Sequence, residues 1–202
     1  MLKTVKIFVE GIADVKFLSD YISHIIPNFE IEKETIINSS GWTNNREKSR
    51  NVMLQNTDNA GINLIIFDAD DDFKKRKDEL ENWKLSENLS FEVFLFPNNN
   101  DKGALEDLLE KIIEKNNQPI FDCWNEYENC LKTRTIKGRT KPLTVPDKKA
   151  KIFGYLEALL GTTKKEKKKI KEEERDYKNR EHWNLDSDYL VPLKEFLIKH
   201  LK

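Results

Sequence analysis

Cysteine is nearly missing from this 202-residue chain, and glycine and proline are sparse, with two, seven and six residues respectively. Cys123 and Cys130 stand seven positions apart, too few and wrongly spaced for a zinc site or a disulfide framework, so both are expected to be packing residues. No apolar run approaches the length of a membrane span. The opening, Met1 to Lys6, reads as a strand and not as a signal peptide, so a cytoplasmic protein with no membrane partner is expected. A phosphate loop of the form Gly-x-x-x-x-Gly-Lys-Ser/Thr is absent, which excludes an ATPase of that kind within these residues. Excess charge of one sign is missing as well, the net being −1. Its distribution is uneven, however: Thr133 to Glu181 holds sixteen Lys or Arg against eight Asp or Glu. An acidic head joined to a basic arm suits a metal site beside a nucleic-acid track.

What the chain does contain is Asn63-Leu-Ile-Ile-Phe-Asp68-Ala-Asp70-Asp71-Asp72, a short apolar run that ends abruptly in acid. It reads as a buried strand delivering Asp68 and Asp70 at its carboxyl end, the edge where open α/β sheets place their chemistry. Carboxylates this close repel one another and lose hydration at the rim of a core, so the arrangement favours a neutralising cation. Hard oxygen donors suit magnesium or manganese. A plainer reading makes the same residues an acidic cap on the helix that starts at Phe73. An EF-hand fails because its sixth position, which needs Gly for the sharp turn, is Phe73. A haloacid-dehalogenase-type loop would want Thr or Val where Asp72 stands.

Taken in order, Lys3 to Val9 is a β-branched strand ending in Glu10-Gly11. Val15 to Ile26 carries helical spacing until Pro27 stops it. Ile31 to Ile37 reads as a second strand, Ser39-Ser40-Gly41-Trp42 as a turn, and Arg46 to about Asn56 as a polar helix. After the acidic cluster, Phe73 to Leu85 is helical, Phe91 to Phe96 is a strand closed by Pro97, and Asn98 to Gly103 is a loop. Leu105 opens another helix, Phe121 to Leu131 forms the next, and Thr133 to Pro146 is a basic loop. Lys148 to Leu160 is amphipathic, and Thr163-Lys-Lys-Glu166 has capping-box spacing for a helix reaching Tyr177. A solvated helix or arm is the plain reading of that last lysine-rich run. Trp183 to Leu197 is apolar enough to dock on the core. Strands alternating with helices predict an α/β fold with a parallel sheet, right-handed crossovers and a C-terminal helical extension. The expected layout is a core over residues 1–132, with a basic loop and helical extension over 133–202 docking back on it.

Glu10-Gly11 after one strand and Asp68-x-Asp70 after a later one, with helix, strand and helix between, resembles the Toprim domain of topoisomerases, primases and OLD-type nucleases. The resemblance spans roughly Lys3 to Ile113. It implies a Rossmann-like, mainly parallel sheet flanked by helices, and a magnesium or manganese site ligated by Glu10, Asp68 and Asp70, with Glu10 also available for proton transfer. Glu10-Gly-x-x-Asp14 and Gly103-Ala-Leu-Glu106-Asp107-Leu-Leu are similar to the nuclease branch, which implies that Asp14, Glu106 and Asp107 help hold a second ion. The chain is also similar to small stand-alone Toprim-like bacterial proteins of uncharacterised function that share the Trp183 to Leu197 type of ending. OLD-type nucleases place a basic residue near the metals late in the domain. Lys149 is the candidate here, with Lys148 and Lys151 as alternatives and a helix-surface lysine as the plain reading.

What the resemblance implies about function is a metal-dependent phosphodiesterase acting on nucleic acid, DNA ahead of RNA. Arg134, Lys137, Arg139, Lys141, Lys164, Lys165, Lys167 and Lys168 are the expected phosphate contacts. The alternative is a catalytically idle metal- or nucleic-acid-binding module, such as a phage-defence accessory, working with an ATPase on a separate chain. The oligomeric state stays open.

Overall fold

The computed structural model describes residues 4–32, 34–40 and 46–202. Strand β1 (Val5–Val9) shows how the sheet is covered on both faces. Ile7 and Val9 point into one apolar cluster while Phe8, between them, points into another, and all three are fully buried. The same alternation runs through β3 (Ile62–Asp68), with Leu64 and Ile66 on the first face and Ile65 and Phe67 on the second, and through β4 (Glu92–Phe96). Period-two side chains with both faces buried are what a parallel sheet between helical layers demands. With β2 (Ile36–Asn38) the strands run parallel in the order β2-β1-β3-β4. The protein is α/β, a Rossmann-like parallel sheet flanked by helices and carrying a C-terminal helix.

Helices α2 (Arg46–Asp58) and α3 (Phe73–Ser86) cover one face through Met53, Leu80 and Trp83. The opposite face receives α1 (Ile12–Ile25), α4 (Leu105–Lys111), α5 (Gln118–Thr133), α6 (Lys148–Leu160), the end of α7 (Lys164–Ile170) and α8 (Val191–Leu201). This placement follows from right-handed crossovers: the chain moves one way along the sheet through α1 and the other way through α2 and α3. Asn63, inside β3, is a polar residue buried within the sheet. Its amide donates to the carbonyls of Met53 and Ser90 at 3.0 Å each and accepts from Asn56 at 3.0 Å, so it ties α2 and the start of β4 to the central strand.

Several expected boundaries move, for identifiable reasons. The second strand starts at Ile36 and not at Ile31, because Thr35 closes a turn with Glu32 through both its backbone N–H and its hydroxyl, at 3.0 Å each. Lys3, Gly41 and Trp42, parts of an expected strand and turn, lie outside the described residues. The capping box at Thr163 and Glu166 forms, but α7 ends at Ile170 and not at Tyr177. There Arg175 Nε donates to the Ile170 carbonyl at 2.9 Å and a short 3-10 turn takes over. Cys123 and Cys130 are exposed, which corrects their reading as packing residues. Together with the half-exposed Tyr127 they occupy positions i, i+4 and i+7 of α5, the side opposite the buried Phe121. Among the described residues no helix is long and apolar enough to cross a membrane.

The C-terminal segment belongs to the same apolar cluster as the sheet: Tyr177, Trp183, Leu193 and Leu197 pack with Ile7, Leu64 and Phe94. Polar contacts register it. The Tyr177 N–H donates to Asp20 of α1 at 3.0 Å, and the Tyr155 hydroxyl donates to the His182 carbonyl at 2.6 Å. Leu197→Ala should therefore cost about 2–5 kcal/mol by cavity formation, while Leu85→Ala, at a position 79% exposed, should change stability by less than about 0.5 kcal/mol. Urea denaturation checks both values. A separate early transition for the C-terminal segment would contradict the shared core.

Candidate functional site

β1 and β3 are neighbours at the middle of the sheet, and the chain leaves β1 toward β2 on one side but continues to β4 on the other. Their carboxyl ends therefore flank the point where strand order reverses, the crevice in which open α/β sheets bind ligands. Glu10 follows β1 directly and Asp68 ends β3. They meet across 58 positions of sequence, the Asp68 N–H donating to Glu10 Oε2 at 3.2 Å. Asp68 Oδ1 accepts from the N–H of Leu105, the first residue of α4, at 3.0 Å. Asp14, in the first turn of α1, accepts the Gly11 N–H on Oδ2 at 2.8 Å and is buried. Glu106, on α4, is buried as well. Four carboxylates from four separate elements or their edges thus share one rim.

Burial, followed by the negative charge of Asp14, Glu10 and Glu106, pushes the Asp68 carboxyl up to about 8 against the pull of the Leu105 N–H. Burial raises Asp14 to about 7, with Glu106 and Glu10 adding to it and the Gly11 N–H and Lys149 opposing. Glu10 and Glu106 are also held above the usual carboxylate range by burial, although Arg76 draws Glu10 back and Lys149 draws Glu106 back. Lys149 enters from the first turn of α6, its ammonium 3.7 Å from Glu172. Burial acts against its charge, but Glu172, Glu106, Asp14 and Asp68 together outweigh that and raise its pKa. Of the three candidate lysines, Lys149 is the one whose charge the cluster feels. Lys148 pairs with Asp107, and Lys151 is buried against Glu110 and Asn125 at 3.0 Å each.

Arg76 is the residue that sequence reasoning missed. It is only 8% exposed, its guanidinium bonds Glu10 Oε1 directly, and its Nε donates to the Asp68 carbonyl at 3.3 Å. It also lies 3.9 Å from Asp70, 3.7 Å from Glu79 and over the Phe67 ring. One signal was available: Arg76, Leu80 and Trp83 stand at i, i+4 and i+7 and form the buried stripe of α3, whereas Lys74, Lys75 and Lys77 fall off it.

The remaining expected residues divide. Asp70 sits at the outer rim, its side chain 64% exposed. Its backbone takes a left-handed φ of 53° and exchanges hydrogen bonds with Gly103 at 2.9 and 2.8 Å. Asp107 stands apart from the cluster. One oxygen accepts the Ala104 N–H at 2.7 Å in a helix cap and the other accepts from Lys148. Gly103 is required beside it, since its φ is 140° and a Cβ there would come within 2.6 Å of the Asp107 carboxylate. Arg134, Lys137, Arg139 and Lys141 are exposed on the segment that runs into the start of α6, the helix that carries Lys149. Lys164 and Lys165 are exposed on α7, while Lys167 and Lys168 pair with Glu157 at 2.9 Å and Glu174 at 3.8 Å.

The donors suit a hard divalent cation in kind and in charge, since four carboxylates face two cations, Arg76 and Lys149. As placed they do not converge: among the described residues no three Asp, Glu, His or Cys side chains stand close enough to hold one ion together. Over residues 4–202 the chain matches the family described as protein of unknown function (DUF3226), and it belongs to that family. No curated protein and no solved structure matches it.

Because Asp14 and Asp68 bind protons more tightly folded than unfolded, their contribution to stability is greatest below the ordinary carboxylate range. It falls as pH rises through about 7 and 8. In EDTA, the unfolding free energy from urea denaturation should drop between pH 5 and pH 9 by more in the parent than in Asp68→Asn, a difference on the order of a few kcal/mol. The two groups share their repulsion, so Asp14→Asn plus Asp68→Asn should gain less than the two single effects added. Parallel pH profiles for parent and variants would contradict the burial of these charges.

Proposed function

We propose that the protein is a cytoplasmic, Toprim-like, magnesium- or manganese-dependent phosphodiesterase acting on nucleic acid. The observation that carries this reading is the meeting of Glu10 and Asp68 at the strand-order reversal, with Asp14 and Glu106 brought to the same rim. Glu10, Asp68 and Glu106 are the residues that would hold one or two ions, with Asp70 at the rim and Asp14 beside them. Bound there, such ions polarise a phosphodiester and make water nucleophilic at neutral pH.

The chain's own residues supply the rest. Asp14 has Oδ2 committed to the Gly11 N–H, so Oδ1 is the atom that would take up or release a proton. Both oxygens of Glu10 are engaged, by Arg76 and by the Asp68 N–H, so in this reading the proton-transfer role expected of Glu10 passes to Asp14. Lys149, kept charged by its acidic neighbours, faces the negative charge that develops on the phosphate. The exposed loop of Arg134, Lys137, Arg139 and Lys141, which leads into the helix that carries Lys149, would guide a phosphate backbone toward the carboxylates.

A second reading is a binding module in which Arg76 and Lys149 stand permanently for the cation's charge, working with an ATPase on another chain. The Arg76–Glu10 ion pair and the lack of three converging donors among the described residues favour it.

Metal titration separates the two. Manganese at a hundred times its dissociation constant should raise stability by about 2.7 kcal/mol, and Glu10→Gln should lose most of that gain although it lies far from Asp68 in sequence. The parent should nick supercoiled plasmid with manganese, and Asp14→Asn should slow nicking roughly 100- to 10,000-fold while remaining folded. No thermal response to manganese in the parent favours the module. For the basic loop, changing Arg134, Lys137, Arg139 and Lys141 to Gln should flatten the dependence of log affinity on log salt by about 0.9 for each phosphate that these side chains neutralise.

A further inference from the structure

Beside Lys149 the surface opens into a cleft of about 730 Å3 between α6 and the segment that follows α7. That volume lies within the range of roughly 300–1,000 Å3 typical of sites for organic ligands. Trp124 of α5 and Phe153 of α6 line it, and Lys171 and Arg175 stand on the other side. The seat of Trp124 is built: a Cβ at Gly154 would come within 2.5 Å of the indole, so this glycine lets the ring lie against the α6 backbone. The indole N–H donates to Glu128 at 2.9 Å and the ring meets Tyr127 edge-on at 5.7 Å, which sets its plane. Phe153 is 37% exposed, an unusual position for a phenyl ring on a helix that otherwise buries its apolar face.

Two properties narrow the occupant. The cleft borders the carboxylate site at one residue: Lys149 lines it, lies 3.7 Å from Glu172 and also feels the charges of Glu106, Asp14 and Asp68. Its lining charges balance: Lys149, Lys171 and Arg175 face Glu157, Glu172 and Glu173, of which Glu157 pairs with Lys167 and Glu172 with Lys149. Bulk attraction for a polyanion is therefore weak here, and recognition must come from ring faces with a positive charge at one end. A planar apolar group carrying an adjacent phosphate fits that description, and a stacked duplex, whose bases are covered, does not.

We infer that this cleft receives an unstacked nucleobase of a single-stranded nucleic acid, with the neighbouring phosphate at Lys149. Single-stranded segments or frayed ends, and not intact duplex, are then what reaches the carboxylates. The statement about which nucleic acid is cleaved rests on the proposed function; the binding site does not.

The test uses the full chain in EDTA, with a labelled oligothymidylate and a blunt hairpin duplex of equal length as probes in anisotropy titrations. The single strand should bind more tightly than the duplex and quench tryptophan emission. Trp124→Leu and Phe153→Ala should each weaken single-strand binding roughly 5- to 150-fold, the range for loss of one base stack, with little effect on the hairpin. Phe153 is exposed, so Phe153→Ala keeps the test open should Trp124→Leu fail to fold. Equal affinity for both probes, or affinity unchanged in Phe153→Ala, overturns the inference. Absence of any oligonucleotide binding also overturns it and leaves the cleft to a protein segment. Metal-dependent nicking that ignores these variants and treats duplex and single strand alike sinks this inference alone, whereas stacking without cleavage under manganese sinks the proposed chemistry alone.

Discussion

Loss of hydration at a group of neighbouring carboxylates, to which their repulsion adds, is the constraint around which this molecule is arranged. Glu10, Asp14, Asp68 and Glu106 meet where the central strands end, and each is costly to ionise there. The surrounding structure answers with aimed positive charge and N–H groups: Arg76 across Glu10, the Asp68 and Leu105 N–H groups onto Glu10 and Asp68, and Lys149 from the late helix α6. These contributions come from α3, β3, α4 and α6. The sheet and both helical layers must therefore be assembled before the cluster is tolerable.

Helix caps do much of the positioning. Asp14 and Asp107 occupy the same place in their helices, each the third residue after an extended N-cap, and each accepts the N–H of that cap residue, Gly11 or Ala104. Each cap uses one carboxylate oxygen and leaves the other to its surroundings. For Asp14 those surroundings are acids and a buried rim; for Asp107 they are the ammonium of Lys148. One local motif thus yields a proton-holding group at one end of the sheet and an ordinary ion pair nearby.

The segment after residue 132 completes the site as well as the core. Lys149 supplies cationic charge to the carboxylates, Glu172 lies 3.7 Å from its ammonium, and Arg175 closes the end of α7 by bonding the Ile170 carbonyl. The apolar residues around them pack into the same cluster as β1 and β3. Loss of this segment would remove both packing and the principal cation facing Asp14, Asp68 and Glu106.

Local pattern alone was enough for the parallel sheet, while the meeting of Glu10 with Asp68 was expected from the resemblance of their strand-end motifs to the Toprim domain. Alternating apolar strands end in acid, helices lie between them, and right-handed crossovers leave few ways to arrange the result. The helix at Lys148 to Leu160 was legible to the residue, because Asp147 caps it and Gly161 ends it. What neighbouring residues cannot encode is environment. Nothing nearby separates Asp14 from Asp107, which share residue type and helical position, or marks out Lys149 from Lys148 and Lys151 at the start of one helix; what packs against each makes the difference. Arg76 stood in a run of four cations, and its stripe with Leu80 and Trp83 showed burial without showing a partner. The partner is Glu10, 66 positions away. Charge compensation acts through space across elements distant in the chain, so only the tertiary structure decided which acids are strained and which cations relieve them.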